Sequence, residues 1–135
     1  MRFLITEDDF VTRRLMQKYL SDYGTCDIAV NGSEAVEAFR LAIEENEPYD
    51  LICMDIMMPE MDGRQALKAI RQIESENQID CFNCTKIIMT TSCDDNKNIM
   101  GSFREGCEAY LIKPVEKDKF LEEMANLGLI KLANT

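Results

Sequence analysis

Histidine is absent from the 135-residue sequence. That removes His-based catalytic triads, imidazole metal ligands and any role as a histidine phosphodonor. Long apolar runs are absent too: no stretch approaches the ~20 residues a membrane helix needs. The N-terminus, Met1-Arg2-Phe3-Leu4-Ile5-Thr6, reaches Glu7, Asp8 and Asp9 before an apolar core of signal-peptide length can form. The expected location is therefore the cytoplasm, with no membrane partner. Positive charge is scarce, with 15 Lys and Arg against 25 Asp and Glu and a net charge of −10. Nucleic acid and anionic lipid both demand a cationic footprint, so direct binding to either is not expected. No GxxxxGK[ST] loop is present, which argues against nucleotide hydrolysis. Repeats, low-complexity segments and Gly/Ser- or Pro-rich linkers are missing as well.

Cysteine is not scarce, with 6 residues at 26, 53, 81, 84, 93 and 107. In a cytoplasmic chain they are expected to be free thiols. Cys81-Phe-Asn-Cys84 has the spacing of half a zinc or redox site. Without a second CxxC or any histidine, four tetrahedral ligands are hard to assemble.

The apolar fraction of 46% at this length predicts one globular domain. Short apolar runs at 3–5, 27–30, 51–54, 86–89 and 109–112 read as strands buried on both faces, as in a parallel sheet. Helical spacing falls between them: Val11, Leu15 and Tyr19; Val36, Phe39 and Ile43; Ala66, Ile70 and Ile73; Ile99 and Phe103; Phe120, Met124 and Leu127. Ser33 with Glu34 and Glu37, Asp62 with Gln65, and Asp94-Asp95 read as helix starts, and Gly24 and Gly106 as helix stops. The polar stretch from about Ser75 to Thr85 reads as an extended loop. Alternating strands and helices predict an α/β fold, a five-stranded parallel sheet doubly wound by five helices. The domain is expected to span 1–127, with 128–135 a short tail and no output domain.

In such sheets ligands bind beyond the carboxyl ends of the strands. Strand one ends in Glu7-Asp8-Asp9, strand three in Asp55, strand four in Thr90-Thr91-Ser92 and strand five in Lys113-Pro114. Asp55 interrupts an apolar run, where an ionised carboxylate is costly unless paired or metal-bound. Taken alone it could equally be an exposed strand-end residue, and Asp9 is expected to cap a helix. The joint placement of Glu7, Asp8, Asp55, Thr91 and Lys113 is what points to chemistry. Three carboxylates against one lysine leave two negative charges, which one divalent cation neutralises, and all-oxygen ligands suit Mg²⁺. A carboxylate beside Mg²⁺ and an ammonium can accept a phosphoryl group.

Leu51-Ile-Cys-Met-Asp55-Ile-Met-Met-Pro59-Glu-Met-Asp62-Gly63, Glu7-Asp8, Thr91 and Tyr110-Leu-Ile-Lys113-Pro114 together resemble the receiver domain of two-component response regulators. The resemblance covers about Arg2 to Ala125 and implies strand order 2-1-3-4-5. It makes Asp55 the phosphoacceptor, with Glu7, Asp8, Asp55 and the backbone carbonyl of Met57 around Mg²⁺. Thr91 and Lys113 become the phosphoryl contacts, and Thr91 and Tyr110 the switch residues, Tyr110 turning inward to remodel the face of helix four, strand five and helix five. It also implies a histidine kinase or phosphotransfer protein as donor and a downstream target protein reached by contact. The chain would be a monomer or a weak phosphorylation-dependent dimer, and not an enzyme beyond weak self-dephosphorylation. Lys113-Pro114 falls where the family often has a cis bond. Three departures stand out: Glu7 where Asp is commoner, Ser92 where a small Ala is frequent, and Met57 and Cys93 where polar residues can assist water. The last pair predicts slow self-dephosphorylation. A flavin-binding electron carrier shares the architecture, but Glu7-Asp8-Asp9 would repel the cofactor's phosphate. A receiver that binds partners without being phosphorylated is the other alternative.

Overall fold

A computed structural model describes residues 1–58, 61–80, 83–91 and 96–132, with no side-chain description at 96–99 and 104. Strands and helices alternate without exception: β1 Arg2–Thr6, α1 Phe10–Leu20, β2 Thr25–Ala29, α2 Gly32–Glu44, β3 Leu51–Asp55, α3 Gly63–Glu76, β4 Lys86–Thr91, α4 Asn96–Glu105, β5 Ala109–Ile112 and α5 Lys117–Asn126. The five strands form one parallel sheet in the order β2-β1-β3-β4-β5. This is the predicted doubly wound architecture. Strand order reverses beside β1 and β3, which opens a crevice at their carboxyl ends.

The inner strands carry the core. Phe3, Ile5, Leu51, Cys53 and Ile88 pack on one face against Met16 and Leu20 of α1 and Phe120 and Met124 of α5. Leu4, Ile52, Met54, Ile87 and Met89 pack on the other, against Phe39 of α2 and Ala66, Leu67 and Ile70 of α3. Burial on both faces holds for β1, β3 and β4, but not for the edges. β2 is exposed at Thr25, Asp27 and Ile28, and β5 alternates buried and exposed. An edge strand has a neighbour on one side only, so its apolar residues need not all be covered.

Helix boundaries correct several sequence expectations. Asn31, not Ser33, caps α2, accepting the Glu34 N–H at 2.8 Å. α1 stops at Ser21 rather than Gly24. Gly24 is required for another reason, because a Cβ there would lie 2.0 Å from the Met1 carbonyl oxygen. α3 runs on to Glu76, which shortens the predicted loop. Asp9 caps α1 through the Thr12 N–H, Asp62 and Gln65 form a capping box, and Gly106 follows α4 with φ of 108°, all as expected. Asp94-Asp95 lies outside the described residues.

The spacing that predicted α1 does not coincide with its buried face. Val11 and Leu15 are 64% and 41% exposed, while Met16 and Leu20 face the sheet. Phe10, Val11, Leu15, Met16, Tyr19 and Leu20 make two adjacent stripes on one helix. Periodicity identifies both without telling which one the sheet covers. Tyr19, on the boundary, packs its ring 6.1 Å from that of Phe120 and donates its hydroxyl to the Val115 carbonyl.

Candidate phosphoacceptor site

β1 leads directly into Glu7 and Asp8, and β3 ends at Asp55. The two strands are hydrogen-bonded neighbours, in register from Phe3–Leu51 to Thr6–Met54. One carboxylate oxygen each from Glu7, Asp8 and Asp55 lies within 4.8 Å of the others. Glu7 is fully buried and Asp55 nearly so, while Asp8 is exposed. A donor set of hard oxygens, two of them buried and one facing solvent, fits a divalent cation that keeps part of its water shell.

Lys113 closes the cluster. Its Nζ sits 2.7 Å from Glu7 Oε1 and 3.1 Å from Asp55 Oδ2. The Lys113–Pro114 bond is cis. The longer side chain at position 7 engages both of its oxygens, since Oε2 accepts the Asp9 N–H at 3.1 Å. Burial raises the Glu7 pKa above the ordinary carboxylate value; the Lys113 ammonium opposes that rise and Asp55 adds to it. The Lys113 pKa is raised despite burial, which opposes it, because Glu7 and Asp55 both stabilise its charged form.

Thr91 ends β4 and is buried. The Met57 N–H donates to Asp55 Oδ1 at 3.2 Å while the Met57 side chain is exposed, so this residue faces the site through its main chain. Tyr110 points outward from β5, with its ring edge-on to Phe103 of α4 at 5.7 Å between centroids. Ser92, Cys93 and Cys81 lie outside the described residues; Cys84 is half-buried.

Three residues take structural parts at the site that the sequence does not assign to them. Arg13 donates to the Glu7 carbonyl at 3.2 Å and anchors the first acidic loop to α1. Gly63 presses on the end of β3, because a Cβ there would stand 2.1 Å from the Asp55 carbonyl oxygen. Thr90 is register-paired with Asp55, and its buried hydroxyl makes no hydrogen bond among the described residues. The Asp62-Gly63 pair after the third strand is a visible signal for the second, and Thr90 stands beside Thr91 at the end of strand four; nothing in the sequence marks Arg13.

A profile of the response regulator receiver domain matches residues 3–125. The chemotaxis protein CheY of Bacillus subtilis (strain 168) is 33% identical over 123 residues, covering 90% of this chain and 92% of its own. Hybrid signal transduction histidine kinase B of Dictyostelium discoideum is 36% identical over 129 residues, which is 91% of this chain but 6% of that kinase. The chain thus spans a small part of the first curated relatives it matches. Among solved structures, the receiver domain of the histidine kinase CKI1 from Arabidopsis thaliana, complexed with Mg²⁺ and BeF₃⁻, is similar with a TM-score of 0.75 at 26% identity, covering 93% of this chain and 89% of that one. The Saccharomyces cerevisiae co-crystal of the histidine phosphotransfer protein Ypd1 with the Ssk1 receiver domain gives a TM-score of 0.79 at 26% identity, covering 95% and 88%. The chain belongs to the response regulator receiver domain family. As a receiver domain it carries the acidic cluster of a phosphoaccepting aspartate switch. Among the described residues no helix is long and apolar enough to cross a membrane.

Proposed function

We propose that Asp55 is the phosphorylated aspartate and that Glu7, Asp8, Asp55 and the Met57 backbone carbonyl hold Mg²⁺. The observation that carries this is the convergence of three carboxylates within 4.8 Å around a lysine that contacts two of them. A carboxylate oxygen of Asp55 attacks the phosphorus of a phosphohistidine in line. The phosphorus–nitrogen bond breaks, the imidazole of the donor leaves with the electron pair, and an acyl phosphate forms on Asp55. Bound Mg²⁺ supplies charge neutralisation for the transferring oxygens. Lys113 moves from carboxylate to phosphoryl oxygens and offsets their charge, and the Thr91 hydroxyl donates to the same group. Glu7 positions Lys113 beforehand. The new contacts draw Thr91 inward and let Tyr110 rotate from its outward place, changing the face of α4, β5 and α5 seen by a downstream target protein.

The donor is a histidine kinase or phosphotransfer protein. The exposed stripe of α1 supports where it docks. Phe10, Val11 and Leu15 line a shallow groove of about 540 Å³ with Arg14 and Lys18. The helix starts right after Glu7, Asp8 and Asp9, so a partner seated there has its histidine beside Asp55. An apolar surface with basic residues, on a chain of net charge −10, suits an apolar partner face rimmed by acids. The similar Ssk1 receiver domain, solved with a phosphotransfer protein, supports the partner class. The cytoplasm is the compartment this reading requires.

Intact mass after treatment with acetyl phosphate and Mg²⁺ tests the assignment. The parent chain is expected to gain one phosphoryl group and Asp55→Asn none. Equal labelling of the two, or none of the parent, overturns it.

A further inference from the structure

Two arginines of α3 reach out to other parts of the fold, and only one of them grips α4. Arg71 is held by main-chain and carboxylate partners at the amino end of the sheet. Arg64 stands on the first turn of α3, one residue after the glycine that presses on the Asp55 carbonyl. Its Nη2 reaches across to Glu105, the last residue of α4, at 3.0 Å. On the way the guanidinium lies against the backbone of Gly101. A Cβ at Gly101 would stand 2.2 Å from Nη2 and 2.4 Å from Cζ. Glycine in a helix interior weakens the helix, and its presence in the middle of α4 is explained by the space this arginine occupies. The resulting chain of contacts is continuous: Asp55 carbonyl, Gly63, Arg64, then Gly101 and Glu105.

We propose that Arg64 is a positioning residue that sets how readily the site takes up a phosphoryl group, by clamping α4 in the place where Tyr110 points outward. The inference rests on the assignment of Asp55 and Tyr110 above. Inward rotation of Tyr110 gives up its edge-on contact with Phe103 of α4, and α4 must then shift to refill the space. A helix held by its body at Gly101 and by its end at Glu105 resists that shift. The clamp therefore favours the unloaded state, and by linkage its release tightens binding of whatever favours the loaded one.

Gly101→Ala is the informative variant, because it strengthens α4 as a helix while displacing only the far end of a flexible side chain. Glu105→Gln removes the ion pair and leaves Gly101 alone. The readouts are binding of beryllofluoride in saturating Mg²⁺, followed by amide NMR, and the melting temperature of the unliganded chain. Each variant is expected to bind beryllofluoride roughly two- to fivefold more tightly, the range of a half-exposed ion pair. The double variant is expected to gain no more than the larger single, since either change releases the same clamp. A clamp that is merely structural would shift melting and leave beryllofluoride affinity where it was; that result overturns the proposal, as does full additivity. If the parent chain itself fails to bind beryllofluoride, the Asp55 assignment falls first and this proposal with it, an outcome distinct from unchanged affinities among binding-competent variants.

Discussion

At the amino end of the sheet, Arg71 pairs with Glu74 at 2.6 Å and Glu108 at 2.9 Å and donates to the carbonyls of Thr85 and Gly106. The two carboxylates are occupied in turn by main-chain N–H groups of Thr85 and Ile87. At the carboxyl end, Lys113 faces Glu7 and Asp55 with Asp8 close by, and these acids share one ammonium. Both ends bury ionisable groups. One has each carboxylate held by both the guanidinium and a main-chain N–H, the other sets three carboxylates against one ammonium. A closed network fixes elements relative to one another, whereas an open one has capacity left for a cation and a phosphoryl group. The contrast separates structure from function more reliably than burial does, since Glu74 and Asp55 are equally buried, at 4% exposure each.

The comparison breaks most visibly at Arg71. Arg71→Met leaves Glu74 and Glu108 buried without their cation and frees the turn before β5. Loss of about 3–5 kcal/mol is expected, the range for removing one partner of a buried pair, read by denaturant melts. Retention of most of the parent stability would mean the network is not what joins α3 to the amino ends of β4 and β5. At the other end, Gly63→Ala drives a methyl into the Asp55 carbonyl. Backbone cannot yield as a side chain can, so a loss of about 1–3 kcal/mol should accompany weaker Mg²⁺ binding. A variant as stable as the parent that binds Mg²⁺ equally well would show the close approach to be unnecessary.

The two ends also differ in how far the sequence revealed them. The carboxyl end was legible because parallel strands bring their last residues to one rim, so Glu7, Asp8, Asp55, Thr91 and Lys113 could be collected from chain order alone. The amino-end network was not. Arg71, Glu74 and Glu108 come from α3 and the turn before β5, and each reads as an ordinary surface charge until packing brings them together. The same limit applied to α1. The spacing of Val11, Leu15 and Tyr19 marks a helix but not its buried face, because two neighbouring apolar stripes satisfy the same period and only the sheet decides between them. Cap choice failed at Ser33 for a local reason, since Asn31, two residues earlier, already satisfies the Glu34 N–H.

Removing a carboxylate should harm the closed end and help the open one. Asp55→Asn relieves repulsion with Glu7 and Asp8 at the expense of one Lys113 contact. In chelator it is expected to be more stable than the parent by about 1 kcal/mol, a balance of opposed pair terms near an effective dielectric of 20. Added Mg²⁺ should then raise the melting temperature of the parent and leave the variant nearly unmoved. A variant less stable than the parent in chelator would show that the Lys113 contact outweighs the repulsion, and the open end would not be strained.

Acidity gives the smallest and finest distinction. Burial raises the pKa of Glu7 at the open end and of Glu108 at the closed end, against the opposing pull of Lys113 and Arg71 respectively. A carboxyl whose folded pKa lies above its unfolded value binds more protons when folded. Its contribution is present in full below about 4.5, the unfolded value, and is lost as pH rises through the raised folded value. In chelator, stability is therefore expected to increase, so far as these two groups govern it, as pH falls from neutrality toward the unfolded carboxylate pKa. Saturating Mg²⁺ holds Glu7 ionised and should remove its share while leaving that of Glu108. Glu7→Gln should remove the same share without metal. Stability measured against pH in chelator, in Mg²⁺ and in the variant thus separates the two carboxylates. If the Mg²⁺ curve and the chelator curve run parallel across that window, Glu7 does not change its protonation on metal binding and is not a ligand.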